Sequence, residues 1–220
     1  MNNNIGLGEG TVGASIKQMV YDGVLCDIIN GVYPLDYVFN EKELVEKYNV
    51  SKSPVRDALI ELCNEQVLRS IPRYGYEIVR ITERRVREIT QFRRLLEVDA
   101  FRENCRNYSD MMLKKIVDFN REANASWPKT RYEAWRTNID FHSMLYSFTN
   151  NQFVQEVLEK SLSILYRAYA QLYWPSKDIS LNWKEDYHNA IEYHMQKGDY
   201  DAATEMLCKD IEDISIYITD

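Results

Sequence analysis

Asn49-Val50-Ser51-Lys52-Ser53-Pro54-Val55-Arg56-Asp57-Ala58-Leu59 is the stretch that decides how this chain is read. It predicts the turn and second helix of a helix-turn-helix. Asn49 closes one short helix, and Ser51 or Ser53 opens the next. Pro54 fits a first helical turn, where a missing N–H costs nothing. Val55, Ala58, Leu59 and Leu62 make the inner face, and the helix runs to about Glu65. Lys52 and Arg56 are four residues apart, so they share the outer face near the helix start. A helix that presents its N-terminal end and two cations suits the major groove of duplex DNA. Taken singly, each cation reads as an ordinary solvated side chain. The ordered set of turn, helix and cations points to DNA.

Working outward, Ile16, Val20, Val24 and Ile28, with Leu25 and Ile29 beside them, form one helical face over residues 15–31. Gly31 and Pro34 stop that helix. Asn40 caps a short helix from Glu41 to Tyr48 that buries Leu44 and Val45. Downstream, residues 67–71 and 76–79 read as strands flanking Pro72-Arg73-Tyr74-Gly75, a hairpin connection. Three helices and a hairpin predict a winged helix-turn-helix over residues 15–80. Lys42 reaches a phosphate, and Arg73 at the hairpin tip meets the minor groove or backbone. Arg56 suits a bidentate contact with a guanine edge, whereas Lys52 serves equally well for phosphate.

From residue 81 onward only helical periodicity is found. Helices are predicted over 83–106, 109–124, 129–149, 151–174, 178–197 and 199–218. Breaks fall at Asn107-Tyr108, Trp127-Pro128, Asn150-Asn151, Pro175-Ser176 and Gly198-Asp199. Such a run of about six helices packs as an antiparallel bundle. The chain is therefore read as mostly α, a winged helix-turn-helix followed by an all-helical effector-binding and dimerisation domain over 81–220. Residues 1–14, polar and glycine-containing, read as a flexible tail.

Hydrophobic residues make up 45% of the 220, enough for a buried core. The net charge of −7 excludes a general basic coat for nucleic acid, though not a local patch. The four cysteines, Cys26, Cys63, Cys105 and Cys208, form no CxxC pair and match no zinc template, so reduced structural thiols are expected. No apolar run nears the roughly 18 residues that span a membrane, and no signal peptide opens the chain, so a cytoplasmic location is expected. The run Arg80, Arg84, Arg85, Arg87, Arg93 and Arg94 reads as a solvated helix face tied to Glu83 and Glu88, with contact to DNA phosphates or to the other subunit as the alternative.

Three histidines occur, His142, His188 and His194. Asn138 and His142 are helix-face neighbours, His188 lies on a later helix and Asp210 on the last. Four such groups can meet around one divalent ion inside a bundle. Hydrogen-bonded core or surface groups are the plain alternative. Asp140, two residues from His142, points to a different side of the helix, and His194 is read as structural.

The pieces IINGVYPLDYVFNEKELVEKYNVSKSPVRDALIEL and VLRSIPRYGYEIV resemble the DNA-binding domain of GntR-family bacterial transcription regulators. The resemblance implies DNA contacts at Lys42, Lys52, Arg56 and Gly75; Ser53 beside Lys52 and Arg73 at the hairpin tip complete the expected DNA-contact set. Lys52 stands where the family has arginine, which keeps charge and loses the planar fork. Arg93-Arg94-Leu95-Leu96-Glu97, Asn138-Ile139-Asp140-Phe141-His142, Tyr187-His188-Asn189-Ala190-Ile191 and the run from Lys197 to Ala203 resemble the FadR-type effector domain called FCD.

That second resemblance implies a divalent metal of Zn²⁺, Ni²⁺ or Mn²⁺ type at Asn138, His142, His188 and Asp210. Asn138 replaces the usual carboxylate and Asp210 the last imidazole, which favours harder ions. It also implies a small organic-acid effector held by Arg93, with Tyr146, Arg167 and Tyr169 and also Tyr166 and Tyr193 lining the pocket. An ion pair with Glu97 is the plain reading of Arg93. The implied assembly is a homodimer on a double-stranded DNA operator. The chain reads as a regulator and not an enzyme. A metal-dependent enzyme using the His/Asp cluster is the rival, with no nucleophile, base or oxyanion motif beside it.

Overall fold

The computed structural model describes residues 15–126, 131–172 and 186–216. The chain divides into two compact units, Met1–Arg80 and Ile81–Asp220. The predicted tail at 1–14, the breaks at Trp127-Pro128 and Pro175-Ser176, the first part of the predicted 178–197 helix and the last residues of the 199–218 helix lie outside the described residues.

The first unit opens with helix α1, Ile16–Ile29, whose N-cap Ser15 accepts from the Gln18 N–H. Strand β1, Val38–Phe39, helix α2, Glu41–Tyr48, and helix α3, Lys52–Asn64, follow. Strands β2, Leu68–Ile71, and β3, Gly75–Ile78, close the unit. Asn40 caps α2 by accepting from the Glu43 N–H at 2.8 Å. Val20, Val24, Phe39, Leu44, Val55, Leu59, Leu62, Leu68 and Ile78 form one buried core. Each such aliphatic or aromatic side chain contributes about 1.5–3 kcal/mol on burial.

Three details depart from the sequence reading. Ile16 is 56% exposed and lies outside the buried face of α1. Gly75 is the first residue of β3, paired with Ile71, so the connection is Pro72-Arg73-Tyr74 alone. Strand β1 pairs antiparallel with β3, Val38 opposite Glu77 and Phe39 opposite Tyr76, giving a sheet in the order β1-β3-β2. Two residues are too few to show an alternating pattern, and the free edge of β3 makes them a strand.

The second unit is helical throughout its described residues. It contains α4, Glu83–Arg106, α5, Asp110–Ala125, α6, Arg131–Tyr146, α7, Gln152–Leu172, α8, Tyr187–Gln196, and α9, Tyr200–Ile216. Thr82, Ser109 and Asp186 cap α4, α5 and α8 through their side-chain oxygens. Helix α9 packs on α8 and α4, α5 on α8, and α7 on α4 and α6. Phe101, Ile116, Phe141, Leu145, Ile191, Leu207 and Ile211 build the larger core. A second cluster joins Ile81, Val86, Ile89, Trp135, Leu165 and Ala168. The fold is mostly α with one small antiparallel sheet. Among the described residues, no helix is long and apolar enough to cross a membrane.

Candidate functional site

In the first unit, local chemistry fixes how α3 is presented. Asn49 adopts the left-handed conformation, φ 51° and ψ 49°, which asparagine tolerates better than most residues. That reverses the chain within three residues, and Val55, Ala58, Leu59 and Leu62 then lock the inner face of α3. Lys52 and Arg56 are left on the outside, with side chains 64% and 53% exposed. Ser53 is exposed beside them.

Behind the two cations lies Glu41, at the start of α2 and only 19% exposed. Its Oε2 is 3.0 Å from Lys52 Nζ, and its Oε1 accepts from Arg56 Nε at 3.0 Å. Arg56 Nη2 donates to Oε2 at 3.2 Å, and the Tyr76 hydroxyl of β3 approaches Oε1 at 3.4 Å. The Arg56 guanidinium, with Lys52 in support, holds the Glu41 carboxyl below the usual range against the opposing effect of burial. Glu41 was missed in the sequence because its partners lie 11 to 35 residues away. Only its place in the first turn of a helix was readable.

Lys42 is exposed and pairs loosely with Glu46, at 3.8 Å. Arg73 is exposed at the hairpin tip with φ 70°. Gly75 sits against β1, where an added Cβ would lie 2.1 Å from the Phe39 carbonyl oxygen. The wing thus keeps its shape through a glycine at a close backbone approach.

In the second unit, side chains from three helices converge. Asn138 and His142 come from α6, His188 from α8 and Asp210 from α9, and all but His188 are buried. His142 Nε2 and His188 Nε2 each lie 3.3 Å from Asp210 Oδ2. Yet none of these three atoms has a hydrogen-bond partner in good geometry, and neither has Asn138 Oδ1 or Nδ2. Buried polar atoms without partners cost free energy, so their convergence asks for a further group. Ligand atoms about 3.0–3.4 Å apart are what an ion with bonds of about 2.1 Å requires. Two imidazole nitrogens, one carboxylate oxygen and a neutral amide oxygen fit a divalent cation of borderline to hard character.

The surroundings orient this set. His142 Nδ1 is 2.8 Å from Glu97 Oε2 on α4, which leaves Nε2 with its lone pair toward Asp210 when Nδ1 carries the proton. Arg93 Nε donates to Glu97 Oε1 at 2.5 Å. Burial alone would raise the Glu97 carboxyl, but Arg93 and His142 together outweigh it and hold it down to about 2. Asp210 is likewise held low by His188 and His142 against burial. His188 stacks on Phe141 at 3.7 Å, and its backbone carbonyl accepts from Asn120 Nδ2 at 3.0 Å. Glu97 was read in the sequence only as a partner of Arg93; its contact to His142 spans 45 residues and carries no local signal.

Arg93 is fully buried, and its Nη1 and Nη2 have no partner. Thr90 Oγ1 and Trp135 Nε1 are buried and unpartnered too. Thr90, Arg93 and Glu97 follow one face of α4, and Trp135, Asn138 and His142 follow the same spacing on α6. Neither Thr90 nor Trp135 was singled out from sequence. Tyr169 stacks on Trp135 at 3.8 Å. Tyr146 is buried and donates to Ser143 Oγ at 3.0 Å. With Glu97, Phe101, Leu145 and Leu207 it lines a recess with room for roughly one water. Arg167 is buried on α7, where its Nε donates to the Ser163 carbonyl at 3.4 Å.

Two expected pocket and helix-face readings resolve plainly. Tyr193 is 57% exposed, because its position on α8 turns away from Ile191 and Met195 in the core, so it does not line a buried pocket. Asp140 is exposed and 3.9 Å from Arg136, off the face that carries His142. His194 lies near Asp199, at 3.9 Å. Arg84 and Arg85 pair with Glu88, Arg87 with Glu83 and Arg94 with Glu212, a solvated charged face.

Residues 88–213 match the family model of the FCD domain, and residues 16–78 match that of the bacterial regulatory proteins, gntR family. The HTH-type transcriptional regulator YdhC of Bacillus subtilis is 28% identical over 135 residues, 60% of this chain and 60% of that protein. The gluconate operon transcriptional repressor of the same species is 34% identical over 74 residues, 34% of this chain and 30% of that protein. The matches thus span less than two thirds of either relative's length. The solved structure of E. coli McbR/YncC superposes with a TM-score of 0.69 at 18% identity, covering 91% of this chain and 95% of that one, a likeness of fold.

Proposed function

The chain belongs to the gntR family of bacterial regulatory proteins and carries an FCD domain, and from that premise we propose that it is a DNA-binding transcription regulator controlled by a small effector. The observation that carries the DNA reading is the outer face of α3, where Lys52, Ser53 and Arg56 project beyond a locked apolar inner face. Lys42 and Arg73 extend this cationic surface toward phosphates, and Gly75 lets the wing lie close against β1. A homodimer brings two such helices to a short inverted repeat. The matching families and relatives are regulators, and the rival catalytic reading has no support beside the cluster.

The effector centre is the convergence of α4, α6, α8 and α9. Asn138, His142, His188 and Asp210 would hold a divalent cation, which would there supply a site for an oxygen ligand. Arg93 offers two unpartnered NH2 groups, Trp135 one N–H and Thr90 a hydroxyl, a set dominated by donors. Such a set suits a small organic acid, with Tyr146, Arg167 and Tyr169 packed around the same helices.

Duplex DNA from upstream of the encoding gene, titrated at several salt concentrations, tests the regulator. Binding that falls steeply with salt and responds to sequence is expected. Binding indifferent to sequence and salt would sink the reading. For the centre, metal content after dialysis against Mn²⁺, Zn²⁺ and Ni²⁺ is compared between wild type and His142→Ala. Equal content in both removes these four residues as the ligands.

A further inference from the structure

We infer that Glu41 is a positioning residue that aims Arg56 at a guanine base, an inference that rests on the DNA-binding reading of α3. A guanidinium offers a side edge, Nε with one N–H of Nη2, and an end fork, Nη1 with the other N–H of Nη2. Glu41 occupies the side edge with both oxygens, at 3.0 and 3.2 Å. The end fork is what remains, and it is the fork that matches O6 and N7 of guanine.

Glu41 is itself held in place. It is the first residue of α2 behind the Asn40 cap, and α3 reaches it through both Arg56 and Lys52. The Tyr76 hydroxyl reaches it from β3. An untethered arginine stem loses rotamer freedom when it meets a base; here that freedom is already removed before DNA arrives. The carboxylate stands behind its two cations, 19% exposed against 64% and 53%, so the trio shows DNA a net positive face. Stability is a poor reason for the arrangement, since exposed ion pairs contribute little.

Two roles for Glu41 predict opposite signs. As a mere surface charge, neutralising it strengthens binding to every duplex alike. As a positioning residue, neutralising it loosens the choice of base while general affinity holds or rises. The reference duplex is the one that the wild-type protein enriches from a randomised library. Wild type, Glu41→Gln, Arg56→Ala and the double variant are titrated against it, against its guanine-to-adenine versions and against a scrambled duplex.

Glu41→Gln is expected to lose about tenfold in discrimination at one guanine position, the order of one bidentate base contact. It keeps or gains affinity for the scrambled duplex. In the Arg56→Ala background it causes no further loss of discrimination. Unchanged discrimination in Glu41→Gln overturns the inference, as does an equal loss in both backgrounds. If Glu41→Gln does not fold, Glu41→Asp keeps the charge and shortens the reach, and full discrimination in that variant overturns the inference equally. A wild type that enriches no duplex defeats the DNA reading and this inference with it. Enrichment by wild type with an unaltered Glu41→Gln defeats this inference alone.

Discussion

Gly75 has φ 135°, a conformation L side chains rarely adopt, and its missing Cβ makes room for the Phe39 carbonyl. Gly75→Ala therefore meets strain and overlap together, and roughly 2–5 kcal/mol of destabilisation is expected for the first unit in denaturant titration. Arg56→Ala acts on binding instead. Loss of about 1–3 kcal/mol in specific DNA binding is expected, and an unchanged operator affinity would remove Arg56 from base reading. Glu97 is the corresponding pivot of the second unit. Glu97→Ala leaves a fully buried Arg93 without its carboxylate, a change that costs about 3–5 kcal/mol. Arg93 and His142 hold its carboxyl down to about 2, below the ordinary 4.5, so its contribution is fully present above pH 4.5. That contribution is lost as pH falls toward 2. In metal-free protein, the stability gap between wild type and Glu97→Gln should shrink across this window; a gap that stays constant contradicts the assignment.

At the scale of elements, α2 and α3 were legible because their signals are local. Asn40, Asn49 and Ser51 mark the ends, and Leu44, Leu59 and Leu62 mark the buried face. Leu59, on the inner face of α3, is fully buried in the first core, so Leu59→Ala should cost about 2–5 kcal/mol and remove DNA binding with the fold, seen as a lowered melting temperature. A melting temperature unchanged by that substitution would mean α3 is not anchored as described. Strand β1 was not legible, because its identity comes from the edge of β3 and not from its own two residues. Ile16 continues the periodicity of α1 past the point where there is anything to pack against, and only the fold tells where the core stops. In the second unit, periodicity located the helices but not their partners. Glu41 and Glu97 both work across long sequence separations, and Thr90 and Trp135 look like ordinary helix residues until their orphaned atoms are seen inside.

For the molecule as a whole, two compact units predict two separable responses. A divalent ion that binds the folded second unit raises its stability by mass action, about 2.7 kcal/mol at a hundred times the dissociation constant. Calorimetry should show the transition of that unit rising with Mn²⁺ or Zn²⁺ in wild type and staying fixed in His142→Ala. A rise of the same size in both would place the ion elsewhere. Glu97 carries one more consequence. One carboxylate serves both Arg93 and His142, at 2.5 and 2.8 Å. An anion that drew on Arg93 would alter the hold of Glu97 on His142, and a cation on His142 would alter its hold on Arg93. The two occupancies are then reciprocal: by whatever factor the ion changes the affinity for the acid, the acid must change the affinity for the ion by the same factor.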